Sequence, residues 1–288
     1  MGSGALIKVP LYTLVEYMGM GDAPSALQRA GLGPALGNLI TERDVILPRL
    51  MKDFTEGKVK NLTHFRNATT QIYGAAKSVQ AEPAFVIGGE CSIAVGILAG
   101  LAEVFGGKPG MLWMDAHGDF NTPETSPSGY IGGMCLAMAC GRGPVLGLGS
   151  GGNRPLLEEE RLVHVGSRAL DPPEAAVLNT SPARLFTTQE VRKKGAAEVA
   201  RQAARLLEDR TDWIMCHLDL DVIDPRVIPA VNYPTPGGLT LAEAATMIRT
   251  LMGTKKAKVL EITSYNPSND KDGSSARRII DLVKAVIR

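Results

Sequence analysis

Two acidic clusters, each placed directly after an apolar run, constrain the fold of this chain more than any other feature. Asp115-Ala-His117-Gly-Asp119 follows the run over residues 111–114, and Asp219-Leu-Asp221 follows the run over residues 213–218. Side chains at i, i+2 and i+4 lie on one face of an extended strand, so each cluster directs its polar groups to one side. We therefore predict two strands that each end in a group of converging acids.

Strand-like and helix-like segments alternate along most of the chain. Apolar runs predict strands over residues 84–87, 111–114, 162–165, 213–218 and 258–262. Helix-like patterns predict helices over residues 92–105, 132–140, 196–208, 240–252 and 275–287, the fourth opened by the capping box Thr240-Leu-Ala-Glu243. This alternation predicts an α/β fold with a mainly parallel sheet between helices, in one domain over residues 1–288. Residues 1 to about 60 are the least readable part.

The polar residues fall where such a sheet binds its ligands. In open parallel sheets, ligands lie beyond the carboxyl ends of the strands. The loops after residues 87, 114, 218 and 262 should therefore face one crevice. Gly88-Gly-Glu90-Cys91-Ser92 occupies the first of these loops, and the acidic clusters occupy the next two. We expect the three groups to meet in space.

Composition excludes several classes of function. The 288 residues are 44% hydrophobic and carry a net charge of +1, which gives no electrostatic case for nucleic acid or an anionic membrane. No apolar stretch is long enough for a transmembrane helix, and no secretory signal is visible, so we expect a cytoplasmic protein. The four cysteines match no zinc-finger spacing; we expect Cys135, Cys140 and Cys216 to be small buried apolar residues.

Four converging carboxylates would repel one another unless cations lie between them. Two divalent ions about 3.5 Å apart, bridged by carboxylates, would use all four acids. Asp and His ligands suit Mn²⁺, Fe²⁺, Co²⁺ or Ni²⁺. A water shared by two such ions would supply hydroxide near neutral pH, and that hydroxide could attack a trigonal carbon. The alternative for a lone Asp-x-Asp is a solvated turn or helix cap; two clusters and His117 favour the two-metal interpretation.

The motifs 115–123 (Asp-Ala-His-Gly-Asp-Phe-Asn-Thr-Pro) and 217–225 (His-Leu-Asp-Leu-Asp-Val-Ile-Asp-Pro) resemble those of the arginase–agmatinase–formiminoglutamase (ureohydrolase) family. The order of elements agrees from roughly Phe85 to the C-terminus. The resemblance implies a three-layer arginase-like α/β fold and hydrolysis of an amidine or guanidine C–N bond in a small-molecule substrate. It also implies two Mn²⁺ ions, with Ni²⁺, Co²⁺, Fe²⁺ or Zn²⁺ as alternatives, and a homo-oligomer, either a trimer or a hexamer.

The resemblance also implies the metal ligands: Asp115 and Asp219 as bridging carboxylates, Asp119 on one ion, and His117 and Asp221 on the other, with Cys91 at the place of the remaining ligand. The family has a His in a Gly-Gly-Asp-His-Ser motif where this chain has Cys91. A thiolate can ligate metal, and the cation would lower its pKa. The alternative is a neutral Cys91 with one metal weak or absent.

A subgroup that resembles bacterial Nω-hydroxyarginine hydrolases has a Cys at the position of Cys91 and also carries a His like His217. By strand alternation His217 points the same way as Asp219, so we predict a catalytic contribution through contact with a ligand or the substrate. A core histidine with satisfied hydrogen bonds is the alternative. Asp119 is predicted to pass a proton to the departing nitrogen, as its counterpart in the family does.

Substrate positions are also carried over from the resemblance: Asn121 and Ser128 for an α-carboxylate, and Asp171 and Glu174 for an α-amino group. The alternative is that they only cap loops beside Pro172 and Pro173. At the guanidinium end Ser264 stands where arginases have a Glu, Gly132 where they have a His, and Tyr233 where they have a Thr. Plain arginine is therefore disfavoured, and a hydroxyguanidine, amidine, formimino or ureido compound fits better.

Two other functions remain open at this point. The first is a metal hydrolase of a non-guanidine C–N substrate, such as a formimino compound or an acylated amine, on the pattern of one-zinc deacetylases. The presence of a further acidic cluster, Asp219-Leu-Asp221, argues against a single metal. The second function is a catalytically impaired family member that acts as a binding protein. Retention of five of the six ligand positions argues against it, because buried polar groups without a metal cost stability.

Overall fold

The computed structural model describes residues 4–37, 39–79, 83–149 and 154–287. Ten strands occur in these residues: β1 (Gly4–Val9), β2 (Leu39–Asp44), β3 (Thr55–Glu56), β4 (Val59–Lys60), β5 (Ala84–Gly88), β6 (Pro109–Met114), β7 (Leu162–Val165), β8 (Arg184–Phe186), β9 (Trp213–Asp219) and β10 (Ala257–Thr263). Eight of them form one sheet in the order β2-β1-β5-β10-β9-β6-β7-β8, and every neighbouring pair is parallel. β3 and β4 form a separate antiparallel pair.

Ten α-helices pack against this sheet in the described residues: α1 (Ala23–Arg29), α2 (Leu32–Leu36), α3 (Leu62–Lys77), α4 (Ile93–Phe105), α5 (Cys135–Ala139), α6 (Pro172–Thr180), α7 (Thr188–Lys194), α8 (Ala196–Arg210), α9 (Leu241–Met252) and α10 (Ser274–Ile287). One buried apolar cluster joins the sheet to α3–α6, and a second joins it to α1, α2 and α7–α10. The three-layer α/β fold expected from the sequence is confirmed.

Strand alternation divides side chains between the two cores. In β9, Ile214, Cys216 and Leu218 belong to the core on the α8–α10 side, whereas Trp213 and Met215 belong to the core on the α3–α4 side. His217 has the parity of the second set, so it lies on the α3–α4 face. Parallel strands covered on both faces are apolar throughout, which explains the continuous apolar runs of β6 and β9.

The predicted strands and helices are all present, with one change in the segment 132–140. There a 3₁₀ turn over Gly132–Met134 precedes α5. The capping box at the start of α9 is confirmed: Thr240 N donates to Glu243 Oε2 at 2.8 Å, and Glu243 N donates to Thr240 Oγ1 at 3.2 Å. Within the described chain, no helix is sufficiently long and apolar to span a bilayer.

Candidate functional site

A cavity of about 230 Å³ opens at the carboxyl ends of β5, β6, β9 and β10. Eleven of the twelve residues predicted for the site line it: Cys91, Asp115, His117, Asp119, Asn121, Ser128, Asp171, Glu174, Asp219, Asp221 and Ser264. His217 is the exception. Parallel strands end at one edge of the sheet, so residues far apart in sequence meet there.

Carboxylates and His117 meet at the floor of the cavity. His117 Nδ1 lies 3.0 Å from Asp221 Oδ2 and 3.5 Å from Asp115 Oδ1. These three side chains place one potential ligand atom each within 4.8 Å of one another. Asp115, His217 and Asp219 form a second such group, which shares Asp115 with the first. Shared carboxylates between adjacent groups are what two bridged cations require.

Cys91, Asp119 and Cys135 form a third group of potential ligand atoms within 4.8 Å of one another. Cys135 Sγ donates to Asp119 Oδ2 at 3.5 Å. All four cysteines are buried, as expected for Cys135, Cys140 and Cys216. Nothing in the sequence around Cys135 predicts that it borders the acids, because its position in a short apolar helix carries no polar signal.

Backbone geometry helps to direct these side chains. Asp119 has φ +50° and Ser264 has φ +69°, both in the left-handed region that non-glycine residues rarely adopt. The Ser264 hydroxyl donates to Asp219 Oδ2. Asp115 Oδ1 accepts from His117 N at 2.7 Å, and Asp219 Oδ1 accepts from Asp221 N at 2.8 Å. Each acidic cluster thus fixes its first carboxylate against its own backbone.

The acids of the cluster are buried and repel one another. Burial and mutual repulsion raise the pKa of Asp115, Asp119, Asp219 and Asp221 above the ordinary value. Burial by itself lowers the pKa of His117, but contacts with Asp115 and Asp221 outweigh it and raise the pKa to about 11. Divalent cations would allow these acids to ionise together and would displace the His117 proton. The residues present therefore fit a metal centre with carboxylate, imidazole and thiol ligands.

A row of side chains lies directly beneath the acids, on three neighbouring strands. Glu261 of β10 pairs in register with His217 of β9, which pairs with Trp113 of β6. His217 Nδ1 lies 2.6 Å from Glu261 Oε1, and its ring stacks on Trp113 with centroids 3.6 Å apart. Trp113 Nε1 donates to Asp115 Oδ2 at 3.1 Å. Glu261 and Trp113 carry no sequence signal of a site, because each lies within an apolar strand.

His217 is fully buried, so the structure places it behind the acids and away from the cavity surface. Its Nε2 atom has no hydrogen-bond partner among the described residues. It lies with Asp115 and Asp219 in one group of potential ligand atoms. Of the two contacts predicted for His217, the one with the metal-ligand region agrees with this position, and direct contact with substrate does not.

The predicted substrate residues also cap a helix. Asp171 N donates to Glu174 Oε2 at 3.2 Å in a capping box at the start of α6, and Phe120 N donates to Glu174 Oε1 at 2.7 Å. Asn121 Nδ2 donates to Asp171 Oδ2 at 2.9 Å. Ser128 Oγ accepts from Tyr130 N at 3.2 Å. Asp171 and Glu174 therefore cap α6, all four side chains line the cavity, and their contact with substrate stays a prediction.

Comparison with known proteins agrees with this architecture. The Arginase family model matches residues 4–287. Arginase from Bacillus caldovelox is 32% identical over 287 residues, covering 97% of this chain and 96% of that protein.

Solved structures give the same result. The native arginase structure from Bacillus caldovelox has a TM-score of 0.91 at 30% identity and covers 100% of this chain and 98% of that one. The Entamoeba histolytica arginase in complex with L-ornithine has a TM-score of 0.90 at 26% identity, covering 99% and 98%. Arginase family members hydrolyse amidino and guanidino C–N bonds and use a binuclear metal centre. On the fold, the acid cluster and these matches, the chain belongs to the arginase family.

Proposed function

We propose that this protein hydrolyses the hydroxyguanidino or a related amidino group of an arginine-like amino acid with two divalent metal ions, Mn²⁺ being the first candidate. One observation carries the proposal. Three groups of potential ligand atoms, two of which share Asp115, lie at the cavity, and the residue at position 264 is a neutral serine. The acids favour metal-assisted hydrolysis, and the serine disfavours a cationic guanidinium.

Cys91, Asp115, His117, Asp119, Asp219 and Asp221 would hold the ions. When bound, the ions supply Lewis acidity and lower the pKa of water. We propose that His217 orients the ligands from beneath. Glu261 fixes its ring, its Nε2 atom has no hydrogen-bond partner among the described residues, and the side chain belongs to one group of potential ligands with Asp115 and Asp219. Cys91 supports assignment to the subgroup similar to Nω-hydroxyarginine hydrolases.

Asp119 would carry the proton that the departing nitrogen needs. Burial and the charge of Asp115 raise the pKa of Asp119, which favours a proton on this carboxyl before ions are bound. The Asp119 carboxyl accepts from the thiol of Cys135 at 3.5 Å and interacts with that of Cys91, and thiols are weak donors. Asn121, Ser128, Asp171 and Glu174 would orient the amino-acid end of the substrate.

The identity of residue 264 separates candidate substrates. The Ser264 hydroxyl is already committed to Asp219. A cationic guanidinium at this end would therefore lack a charge-assisted hydrogen bond, worth about 1.5–3 kcal/mol. A less basic hydroxyguanidine would lose less binding free energy at this position, because it carries less positive charge. The relatives named arginase make L-arginine the competing substrate.

A substrate panel tests the proposal. Metal-free protein would be reloaded with Mn²⁺, Co²⁺ or Ni²⁺ and assayed with Nω-hydroxy-L-arginine, L-arginine, a formimino amino acid and an acylated amine. We expect turnover only after reloading, with the highest kcat/KM for the hydroxyguanidine. Preference for L-arginine would refute the substrate assignment, and preference for the acylated amine would favour the non-guanidine alternative. Binding without turnover of any compound would favour the impaired binding protein.

We also propose that residues 1–288 form one domain and that the protein acts in the cytoplasm as a homo-oligomer. A trimer or hexamer is expected from the family resemblance. Light scattering of the metal-loaded protein measures the assembly, and a monomeric mass would contradict it. Limited proteolysis tests the domain assignment, because a stable fragment would reveal a second folding unit.

A further inference from the structure

Tyr130 and Gly132 share one corner of the cavity, which has space for only one side chain. A Cβ atom built on Gly132 would lie 2.5 Å from Cζ and 2.6 Å from Oη of Tyr130. Close-packed interiors do not accommodate such contacts, so a larger residue at 132 would displace the ring. Both residues line the cavity together with Cys91 and Asp119. The Tyr130 ring therefore occupies the volume that a side chain at position 132 would need.

Glu90 anchors this ring from the buried side. Tyr130 donates its hydroxyl hydrogen to Glu90 Oε2 at 3.0 Å. Thr13 N also donates to Oε2, at 2.9 Å, while Thr13 Oγ1 and Ser92 Oγ donate to Oε1 at 2.8 and 2.5 Å. Each carboxylate oxygen therefore accepts two hydrogen bonds. Glu90 is 1% exposed, so movement of Tyr130 would remove one hydrogen bond from a buried acceptor.

Aromatic contacts restrict the same ring from another side. Tyr17 packs edge-to-face on Tyr130 with ring centroids 5.3 Å apart at 72°. The Tyr17 hydroxyl bonds to that of Tyr233, which also lines the cavity. Tyr130 is thus held by a hydrogen bond at its tip and by ring packing, which makes it a rigid part of the wall.

The hydrogen bond that Tyr130 donates to Glu90 determines which groups its hydroxyl can recognise. Because that hydrogen goes to Glu90, the hydroxyl can offer a substrate only an oxygen lone pair. A neutral acceptor pairs with an N–H or N–OH donor but lacks the charge that a guanidinium prefers. Cys91 follows Glu90 directly in sequence, and its Sγ lies 3.7 Å from the carbonyl oxygen of Gly132. The acceptor therefore lies in the part of the wall next to a predicted metal ligand.

We propose that Tyr130 is a specificity-determining residue, whose ring limits the group that enters and whose oxygen accepts a hydrogen bond from the N-hydroxyl of a hydroxyguanidine. Glu90 and Gly132 are positioning residues in this arrangement, since the first holds the hydroxyl and the second leaves space for the ring. The inference rests on the proposed function and adds the residue that selects the substrate.

Tyr130→Phe tests the inference because it removes the hydroxyl and keeps the ring. With Mn²⁺-loaded protein, we expect kcat/KM for Nω-hydroxy-L-arginine to fall about tenfold and that for L-arginine to change by less than about twofold. Gly132→Ala should displace the ring and reduce the same preference. The Kd of L-ornithine, which lacks the amidino group, should stay within about twofold in both variants.

Tyr265→Phe is the matched control, because it removes a phenol–carboxylate hydrogen bond of 2.8 Å to Asp270 outside the cavity. It should leave both kcat/KM values and L-ornithine binding unchanged. Equal losses on the two amidino substrates, or no loss in Tyr130→Phe, would overturn the role of Tyr130 and leave the proposed function intact. Absence of turnover of either compound by the metal-loaded wild-type protein would overturn the proposed function, and the inference with it.

Discussion

At the scale of single residues, the site is defined by buried acids that repel one another and contact His117. The sequence identifies the acids, because they interrupt apolar runs at strand-like spacing. It does not identify Cys135, Glu261 or Trp113, whose neighbours in sequence are apolar. The polar partners of Cys135 and Glu261 are distant in sequence, and that of Trp113 follows two residues later, after the end of its strand. The roles of individual residues therefore depend on which side chains oppose each acid.

Asp119→Asn tests the proposed proton carrier. The amide preserves the shape of the side chain but cannot transfer a carboxylic proton, so kcat should fall by at least about 100-fold. Steady-state kinetics give the loss, while elemental analysis and the Tm separate it from metal release or unfolding. Asp281→Asn, which alters an exposed carboxylate of α10 paired with Lys284, should leave kcat unchanged. Full activity of Asp119→Asn would exclude this residue from the mechanism.

His117 predicts an unusual pH dependence for metal-free protein. Its folded-state pKa of about 11 exceeds the ordinary 6.5, so its contribution to stability is complete below about pH 6.5 and is lost as the pH rises toward 11. The buried acids have raised pKa values and act in the same direction above their ordinary range. The Tm of metal-free protein should therefore fall between about pH 6 and about pH 9.

Calorimetry across this pH range measures the change in Tm, and His117→Asn should reduce the slope of Tm against pH. His64→Asn is the matched control, because His64 of α3 lies outside the acid cluster and burial lowers its pKa. A Tm of metal-free wild-type protein that is constant or rises with pH would contradict the assignment.

At the scale of elements, strand register brings the polar row under the acids. Glu261, His217 and Trp113 are adjacent because β10, β9 and β6 are neighbours in the sheet. Sequence periodicity predicts which face each side chain occupies, but it does not specify the order of the strands. The sequence did not predict β2 within the first 60 residues. β2 is an edge strand whose charged residues Glu42, Arg43 and Asp44 resemble a loop.

A double-mutant cycle on Glu261 and His217 tests this row. Each side chain is fully buried, so Glu261→Leu or His217→Leu alone leaves an unpaired polar partner and should cost on the order of 3 kcal/mol. The double variant should lose less than the sum of the single variants by at least about 1 kcal/mol. Urea unfolding measures all four proteins. Additive losses would show that the 2.6 Å contact contributes no coupling.

The capping box of α9 gives a local prediction. Thr240→Ala removes the Oγ1 acceptor for Glu243 N and should lower the free energy of unfolding by about 1 kcal/mol. Thr246→Ala is the matched control within the same helix, because it deletes a hydroxyl that donates to Ala242 O and should change stability by less than about 0.5 kcal/mol. Equal effects in urea unfolding would argue against a specific contribution from the cap.

At the scale of the whole molecule, the eight-stranded parallel sheet collects loops from distant parts of the chain at one edge. Converging acids oppose folding without cations, and the covered sheet supplies the rigidity that keeps them together. Metal binding should therefore be coupled to the stability of the entire domain.

Removal of metal should lower the Tm by about 5 °C relative to protein in Mn²⁺ at about 100 times its Kd. Scanning calorimetry before and after chelation measures the change, with elemental analysis to count ions per chain. Asp221→Asn, which weakens one predicted position, should reduce the shift. An identical Tm with and without chelator, in protein shown to bind no metal, would refute the metal centre.

The sequence by itself determined the local features of this protein: strands ending in acids, alternating helices and the capped start of α9. Each depends on side chains a few residues apart, so periodicity and spacing suffice to predict it. Only the tertiary structure decided that Cys135 meets Asp119, that Glu261 holds His217, and that Tyr130 fills the space above Gly132. The first two contacts join residues on different elements, and the third depends on how one loop folds back on itself. Strand order, register and packing therefore had to be known before these contacts could be identified.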